Sequence, residues 1–328
     1  EACRKSDKTA GTGPTPLSFE VPAGFPQPVY DFSNNPLTRE GFELGRKLFY
    51  DGRLSKDGNF PCSSCHQQFA AFCTYEHDLS HGFNNQFTNR NAPGLFNLAW
   101  KKNFAWDGGI KNLEVQPLAP LTAPNEMAET VDHVVAKLQA DTAYQRMFRA
   151  AFGDPSVSSQ RMLKALSQFM VMMVSANSKY DQVQRGTASF SQAEQMGYDI
   201  FKQKCASCHR EPLFTDYSYR NTGMAMNPYI NDSGRMHITY LPADSLKFMV
   251  PSLRNVALTQ PYGHDGRFYA IRSVLDHYSD GVVNGPTTDS LVRNGIPLSE
   301  YDKYYLLQFL YTLTDSGFVK DPRFSSPQ

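Results

Sequence analysis

Pro61-Cys62-Ser63-Ser64-Cys65-His66 decides the reading of this chain, because its C-x-x-C-H core recurs as Cys205-Ala206-Ser207-Cys208-His209. Two thiols at this spacing form thioethers with the two vinyl groups of a haem, and the adjoining histidine ligates its iron. Zinc ribbons also use C-x-x-C, but their two knuckles usually lie about 15–20 residues apart. Here the pairs are far more distant, and each carries its own histidine, which zinc does not demand. The expectation is two covalent haem c groups. Cys62, Cys65 and His66 hold the first; Cys205, Cys208 and His209 hold the second.

A chain of 328 residues accommodates two domains of about 100–200 residues each. Its 32 basic side chains balance 32 acidic ones, so no long-range field favours nucleic acid or an anionic membrane surface. The longest strongly apolar run, Phe169 to Val174, falls far short of the ~20 residues of a membrane span. Covalent haem attachment usually belongs outside the cytoplasm, so the expected location is periplasmic, after removal of a secretory signal. Of the six cysteines, Cys3 and Cys73 are left over, with pairing between them open. Ala2-Cys3 has the form of a bacterial lipoprotein cleavage remnant, with Cys3 as lipid anchor; a free N-terminal cysteine is the other reading.

The periodicity is mainly α-helical. Residues 1–36 read as a tether that drapes over the body, 37–177 as a first haem domain, 190–316 as a second, and 317–328 as a tail. Phe42, Leu44, Leu48 and Phe49 fall on one helical face leading into the first motif. Gln116 to Met127 reads as a proline-broken loop. Thr130 caps a helix, Thr142 with Gln145 forms a capping-box pattern, and Met162, Met170 and Met173 recur at core spacing. Ser175 to Ser189 reads as the boundary. Ser191-x-x-Glu194 opens the helix into Cys205, residues 211–247 form a long loop, and Ser299-x-x-Asp302 opens a closing helix. Arg90-Asn91 and Trp106-Asp107-Gly108 are echoed by Arg254-Asn255 and His264-Asp265-Gly266, which predicts tandem cytochrome c-like units.

Assembled, these residues resemble the bacterial di-haem cytochrome c peroxidase family, including its MauG-like branch. The resemblance runs from about Leu44 to Thr314 on Leu48-Phe49-Tyr50-Asp51, Arg53-Leu54-Ser55, both haem motifs, Arg90-Asn91-Ala92-Pro93, Trp106-Asp107-Gly108 and Pro251 to Thr259. Gly109 departs from it, since many relatives carry arginine there. The resemblance implies that the haem on His66 meets hydrogen peroxide and the haem on His209 admits electrons, with Trp106 between them. Gln116, Pro120 and Glu126 match the distal pocket, where a carboxylate relays a proton as the O–O bond breaks. Asn91, Thr259 and Pro261 match a calcium site of amide and carbonyl oxygens. His81 lies near the position of a removable sixth ligand of the first haem, with Gly82 as hinge; His77 is the alternative. Tyr278, on one face with Ile271, Val274 and Leu275, is the expected sixth ligand of the second haem, with His277 turned outward.

These residues lead to a peroxidase that reduces hydrogen peroxide to water with electrons from a small periplasmic donor, a cytochrome c or cupredoxin. The alternative is a MauG-like oxidase acting on a protein or organic substrate through high-valent haem. A pure electron carrier is a third class, which Glu126 in a distal pocket disfavours. Relatives are commonly homodimers.

Overall fold

The computed structural model describes residues 13–327; Cys3 lies outside them. The fold is mainly helical, and the one sheet among the described residues is a two-stranded antiparallel pair, β1 (Tyr219–Arg220) and β2 (Phe248–Met249). No described helix is long and apolar enough to cross a membrane.

Two apolar cores form, each around a helix that runs toward a C-x-x-C-H motif. In the first, α1 (Arg39–Phe49) starts at Thr38, whose hydroxyl accepts the Gly41 amide, and buries Phe42, Leu44, Leu48 and Phe49. It packs on α5 (Thr142–Phe152) and α6 (Ser159–Val171). The short α2 (Cys62–Cys65) and α3 (Leu118–Thr122) frame the motif and the proline-rich turn, and α4 (Val131–Gln139) is capped by Thr130 as expected. Met162, Met170 and Met173 are core residues. Linking the cores, α7 (Lys179–Gln184) opens on a capping box of Ser178 and Asp181. In the second core, α8 (Gln192–Lys204) packs along α11 (Glu300–Tyr311), each opened by its expected capping box, Ser191 with Glu194 and Ser299 with Asp302. The remaining elements are α9 (Met236–Thr239) and α10 (Ile271–Asp276), which continues into a π turn over His277–Gly281.

The two helix crossings repeat one device. Gly45 lies against the Ala165 carbonyl and the Phe169 Cβ, and Gly197 lies against the Tyr305 carbonyl and the Phe309 Cβ. A side chain at either position would force the helices apart. Phe49 and Phe201, one turn on, are both fully buried.

Several local expectations are corrected. The Gln116 to Met127 segment is not all loop: Leu118–Thr122 makes a helical turn, because Pro117 and Pro120 fall within its first residues, where their missing N–H groups cost little. The cap of α5 is Asp141, which accepts the Ala143 amide, one residue before the expected Thr142. The 175–189 segment is not a bare boundary but carries α7. Phe318 and Phe324 of the expected tail belong to the first core, where Tyr50 donates to the Phe324 carbonyl at 2.6 Å and Gln68 to that of Asp321 at 2.8 Å. The described part of the tether packs on the same core, with Phe25 edge-on to Trp100 and the Trp100 indole donating to Pro26 O at 2.7 Å.

The repeat is real, but its register differs from the expected one. Asn97 and Asn255 both adopt the left-handed conformation and each opens a 3₁₀ turn, Leu98–Trp100 and Val256–Leu258. Bridges Phe104↔Ile110 and Tyr262↔Phe268 follow at the same offset, enclosing Trp106-Asp107-Gly108 and His264-Asp265-Gly266. Pro93 and Pro251, whose carbonyls lie against the two motif histidines, keep that spacing too. Arg90-Asn91 therefore is not the partner of Arg254-Asn255; it stands six positions out of register. The arginines also differ in role: Arg254 is fully buried on Asp181 with bonds of 2.8 and 2.9 Å, whereas Arg90 clamps Asp107 and Asp232.

Candidate haem sites

His66 and His209 are prepared in the same way. Each Nδ1 donates to a main-chain carbonyl, His66 to Phe72 at 2.8 Å and His209 to Phe214 at 3.1 Å. That bond fixes the tautomer and leaves the Nε2 lone pair free, as a metal-ligating histidine requires. Burial lowers both imidazole pKa values, keeping the rings neutral and able to ligate.

Beside the second motif lies a cavity of about 700 Å³ whose walls include Cys205, Cys208, His209 and Tyr278. Its size suits a large flat cofactor. Tyr278 is pushed above the ordinary phenol range by burial and by the charges of the two thiols, which places its ring close to both cysteines. Its hydroxyl has no hydrogen-bond partner among the described residues. His277 does not turn outward: the π turn brings it to the same wall, but its Nε2 is engaged with the Thr222 carbonyl at 2.9 Å. Helix irregularities of this kind often mark functional positions, and here one leaves the phenol facing the cavity while occupying the histidine.

Trp106, Asn91, Thr259 and Pro261 line this same cavity, on the side supplied in part by the first half of the chain. The Trp106 indole donates to the main-chain Asn91 O at 2.8 Å, and the Asn91 side-chain amide donates to Asp78 O at 3.0 Å, leaving its Oδ1 available. Among the described residues no cluster of His, Cys, Asp or Glu side chains forms a metal site; the candidate calcium ligands are of a different kind.

Around the first motif, Glu126 is near enough for its charge to raise the Cys65 thiol pKa, and its own carboxyl is raised by desolvation. Gln116, two turns of chain upstream, has a buried side-chain oxygen with no partner, a group left for a ligand to satisfy. Pro120 holds the turn closed by accepting the Met127 amide at 3.1 Å.

His81 is partly exposed, with Nδ1 at 2.6 Å from Asn85 Oδ1, and His77 is exposed beside it at 5.1 Å between ring centroids. Gly82 is not a hinge. It is extended at φ −123°, and a Cβ there would come to 2.6 Å from Glu126 Cα and run into the Asn125 carbonyl. Phe83 N donates to Glu126 O at 2.7 Å. The histidine loop is thus fastened to the backbone of Glu126.

Sequence reasoning left the role of Cys73 open and passed over Arg235 and Lys101. Cys73, buried, sits at the seam of the halves, with Sγ 2.9 Å from Ala92 O and 3.9 Å from Thr259 O. Arg235 donates to Asp107 O at 2.9 Å and covers the Tyr219 ring at 3.9 Å, bracing the turn where Gly109 brings no side chain. Lys101, in the Lys101-Lys102 pair after Trp100, faces the second cavity.

A family model for di-haem cytochrome c peroxidases matches residues 39–189. The chain is 34% identical over 303 residues to the methylamine utilization protein MauG of Methylorubrum extorquens, covering 90% of this chain and 83% of that one. It is 36% identical over 236 residues to cytochrome c551 peroxidase of Nitrosomonas europaea, covering 70% of each. A MauG-like protein associated with microbial copper homeostasis superposes with a TM-score of 0.85 at 35% identity, over 95% of this chain and 99% of that one. The di-haem peroxidase BthA of Burkholderia thailandensis shares the fold, with a TM-score of 0.74 at 20% identity, over 90% and 91%. With two C-x-x-C-H histidines poised alike and relatives of both names, the chain belongs to the di-haem cytochrome c peroxidase family, a haem oxidoreductase family that also holds the MauG proteins.

Proposed function

We propose that this protein is a periplasmic peroxidase of two cytochrome c-like domains that reduces hydrogen peroxide to water, taking two electrons from a small redox protein and two protons per peroxide. Haem c groups on Cys62, Cys65 and His66 and on Cys205, Cys208 and His209 supply the one-electron chemistry. Both histidines and the second cavity fit such groups.

The observation that carries this reading is the Glu126 carboxyl beside the first motif. Desolvation moves its pKa toward the working pH, where a proton relay is most effective. Glu126 takes the proton from one peroxide oxygen and returns it to the other as the O–O bond breaks. Gln116 offers its free buried oxygen to the same pocket, and Pro120 keeps the turn that presents both. Trp106, on the wall between the halves, offers an aromatic path for electrons. Asn91, Thr259 and Pro261 supply oxygens for a calcium ion at the seam, which hard cations prefer.

Tyr278 favours a second reading, MauG-like oxidation of a protein or organic substrate. A phenolate is a harder, anionic donor than a thioether and favours the oxidised state of the haem it faces. The test is to add peroxide to the haem-loaded protein with a reduced c-type cytochrome present. Rapid oxidation of two donors per peroxide supports the peroxidase. Slow donor turnover with long-lived storage of the oxidising equivalents supports the second reading.

A further inference from the structure

Three Lys or Arg side chains line the cavity beside His209: Lys204, Arg220 and Lys101. Lys204 donates to Pro297 O, and Arg220 is paired with Asp289 at 2.8 Å and Asp216 at 3.0 Å. Asp289, the one carboxylate on the wall, is consumed by that pair. The Lys101 ammonium has no hydrogen bond or ion pair among the described residues and lies 5.9 Å over the Phe104 ring. Lys101 is half-buried, and desolvation drives its pKa down to about 8.

A haem c carries its thioethers on one edge and its two propionates on the other. Lys204 adjoins Cys205 in the chain and Arg220 acts on Cys208, so both stand at the thioether edge. Lys101 comes from the other half of the chain, on the wall that carries Trp106, and does not figure among the charges acting on Cys205.

We propose that Lys101 is the counter-ion of a propionate of the haem held by His209, a lysine from the first half of the chain clamping the cofactor of the second. Its charge then favours the reduced form of that haem, opposing Tyr278. This rests on the placement of a haem between His209 and Tyr278, which is checked separately. A Cys205→Ala/Cys208→Ala variant is expected to keep one haem per chain by pyridine haemochrome; two would overturn the placement itself.

The test of Lys101 is spectroelectrochemical titration of the second haem in Lys101→Met and Lys101→Arg. Lys101→Met is expected to shift the ferric-to-ferrous ratio at fixed solution potential at least tenfold toward ferric, about 59 mV for one electron, and Lys101→Arg to restore most of it. An unchanged ratio in Lys101→Met overturns the proposal. Should Lys101→Met fail to load haem, a crystal structure of the haem-loaded wild type decides: Nζ within hydrogen-bond distance of a propionate supports it, and separation from both beyond about 4 Å overturns it.

Discussion

Glu126→Gln separates proton transfer from every other job at the first haem. Glutamine matches the acid in volume, so no cavity opens, and neither thioethers nor axial histidine are touched. Loss of an acid–base group costs typically 10²–10⁴-fold, which at 1.36 kcal/mol per decade is about 2.7–5.4 kcal/mol of barrier. Among the described residues Glu126 is the acid whose charge acts on Cys65, so its loss is expected to fall within that range. The same burial makes a stability prediction of opposite sign. The folded-state pKa lies above the ordinary 4.5, so the folded form holds its proton more tightly than the unfolded one. Folding stability therefore falls as pH rises from the unfolded pKa through the folded one, and the wild type carries that penalty at neutral pH. Glu126→Gln lacks it. The variant should be more stable than wild type at pH 7 and lose that advantage near pH 4, measured by thermal unfolding, while peroxide turnover with a reduced cytochrome collapses. Turnover within a factor of ten of wild type, with both haems attached, would refute the relay.

Gly82→Ala should impair the first haem site without touching a ligand, since the new Cβ meets the Asn125 and Glu126 backbone; a wild-type peroxide rate would show the clasp to be dispensable. His81→Gly should yield a high-spin first haem without prior reduction if His81 is its removable ligand, and an unchanged electronic spectrum would transfer that role to His77 or abolish it. Tyr278→Phe should change the low-spin spectrum of the second haem, whereas His277→Ala should leave its ligation intact because that ring is spent on Thr222; the reverse pattern would make the histidine the ligand. Asp181→Asn, which leaves the fully buried Arg254 short of its charge partner, should cost about 3–5 kcal/mol of stability in chemical denaturation, and a loss below about 1 kcal/mol would mean that water or rearrangement satisfies the guanidinium.

The motifs and helix caps were legible because they are local. C-x-x-C-H, Ser191-x-x-Glu194 and Ser299-x-x-Asp302 each encode their geometry within a few residues, and the structure forms both capping boxes as read. What the sequence did not yield depends on contacts between distant segments. Gly82 looks like a hinge until the Asn125-Glu126 backbone is seen against it. Arg90-Asn91 and Arg254-Asn255 match as letters, but only the paired bridges and left-handed asparagines reveal the true register. Lys101 drew no notice in the sequence, since nothing near it announces a cavity that is closed largely by residues of the other half.

That register also explains how one repeated scaffold serves two different haems. Carried on without a gap from the Trp106 and His264 turns, it sets Leu113 against Ile271, both buried, and Pro120 against Tyr278. The second unit continues there as α10 and its π turn, which puts the Tyr278 phenol on the wall of the cavity that His209 also lines. The first unit makes only the short α3, which ends at an extended Ala123 because the residue before a proline, here Pro124, is disfavoured in the helical conformation. Proline also has no side-chain donor for iron. The chain then turns through Asn125 to Glu126, whose backbone is held by Gly82 and Phe83. Equivalent stretches thus carry a phenol on the wall of the His209 cavity in one unit and lead to an acid beside the first haem motif in the other.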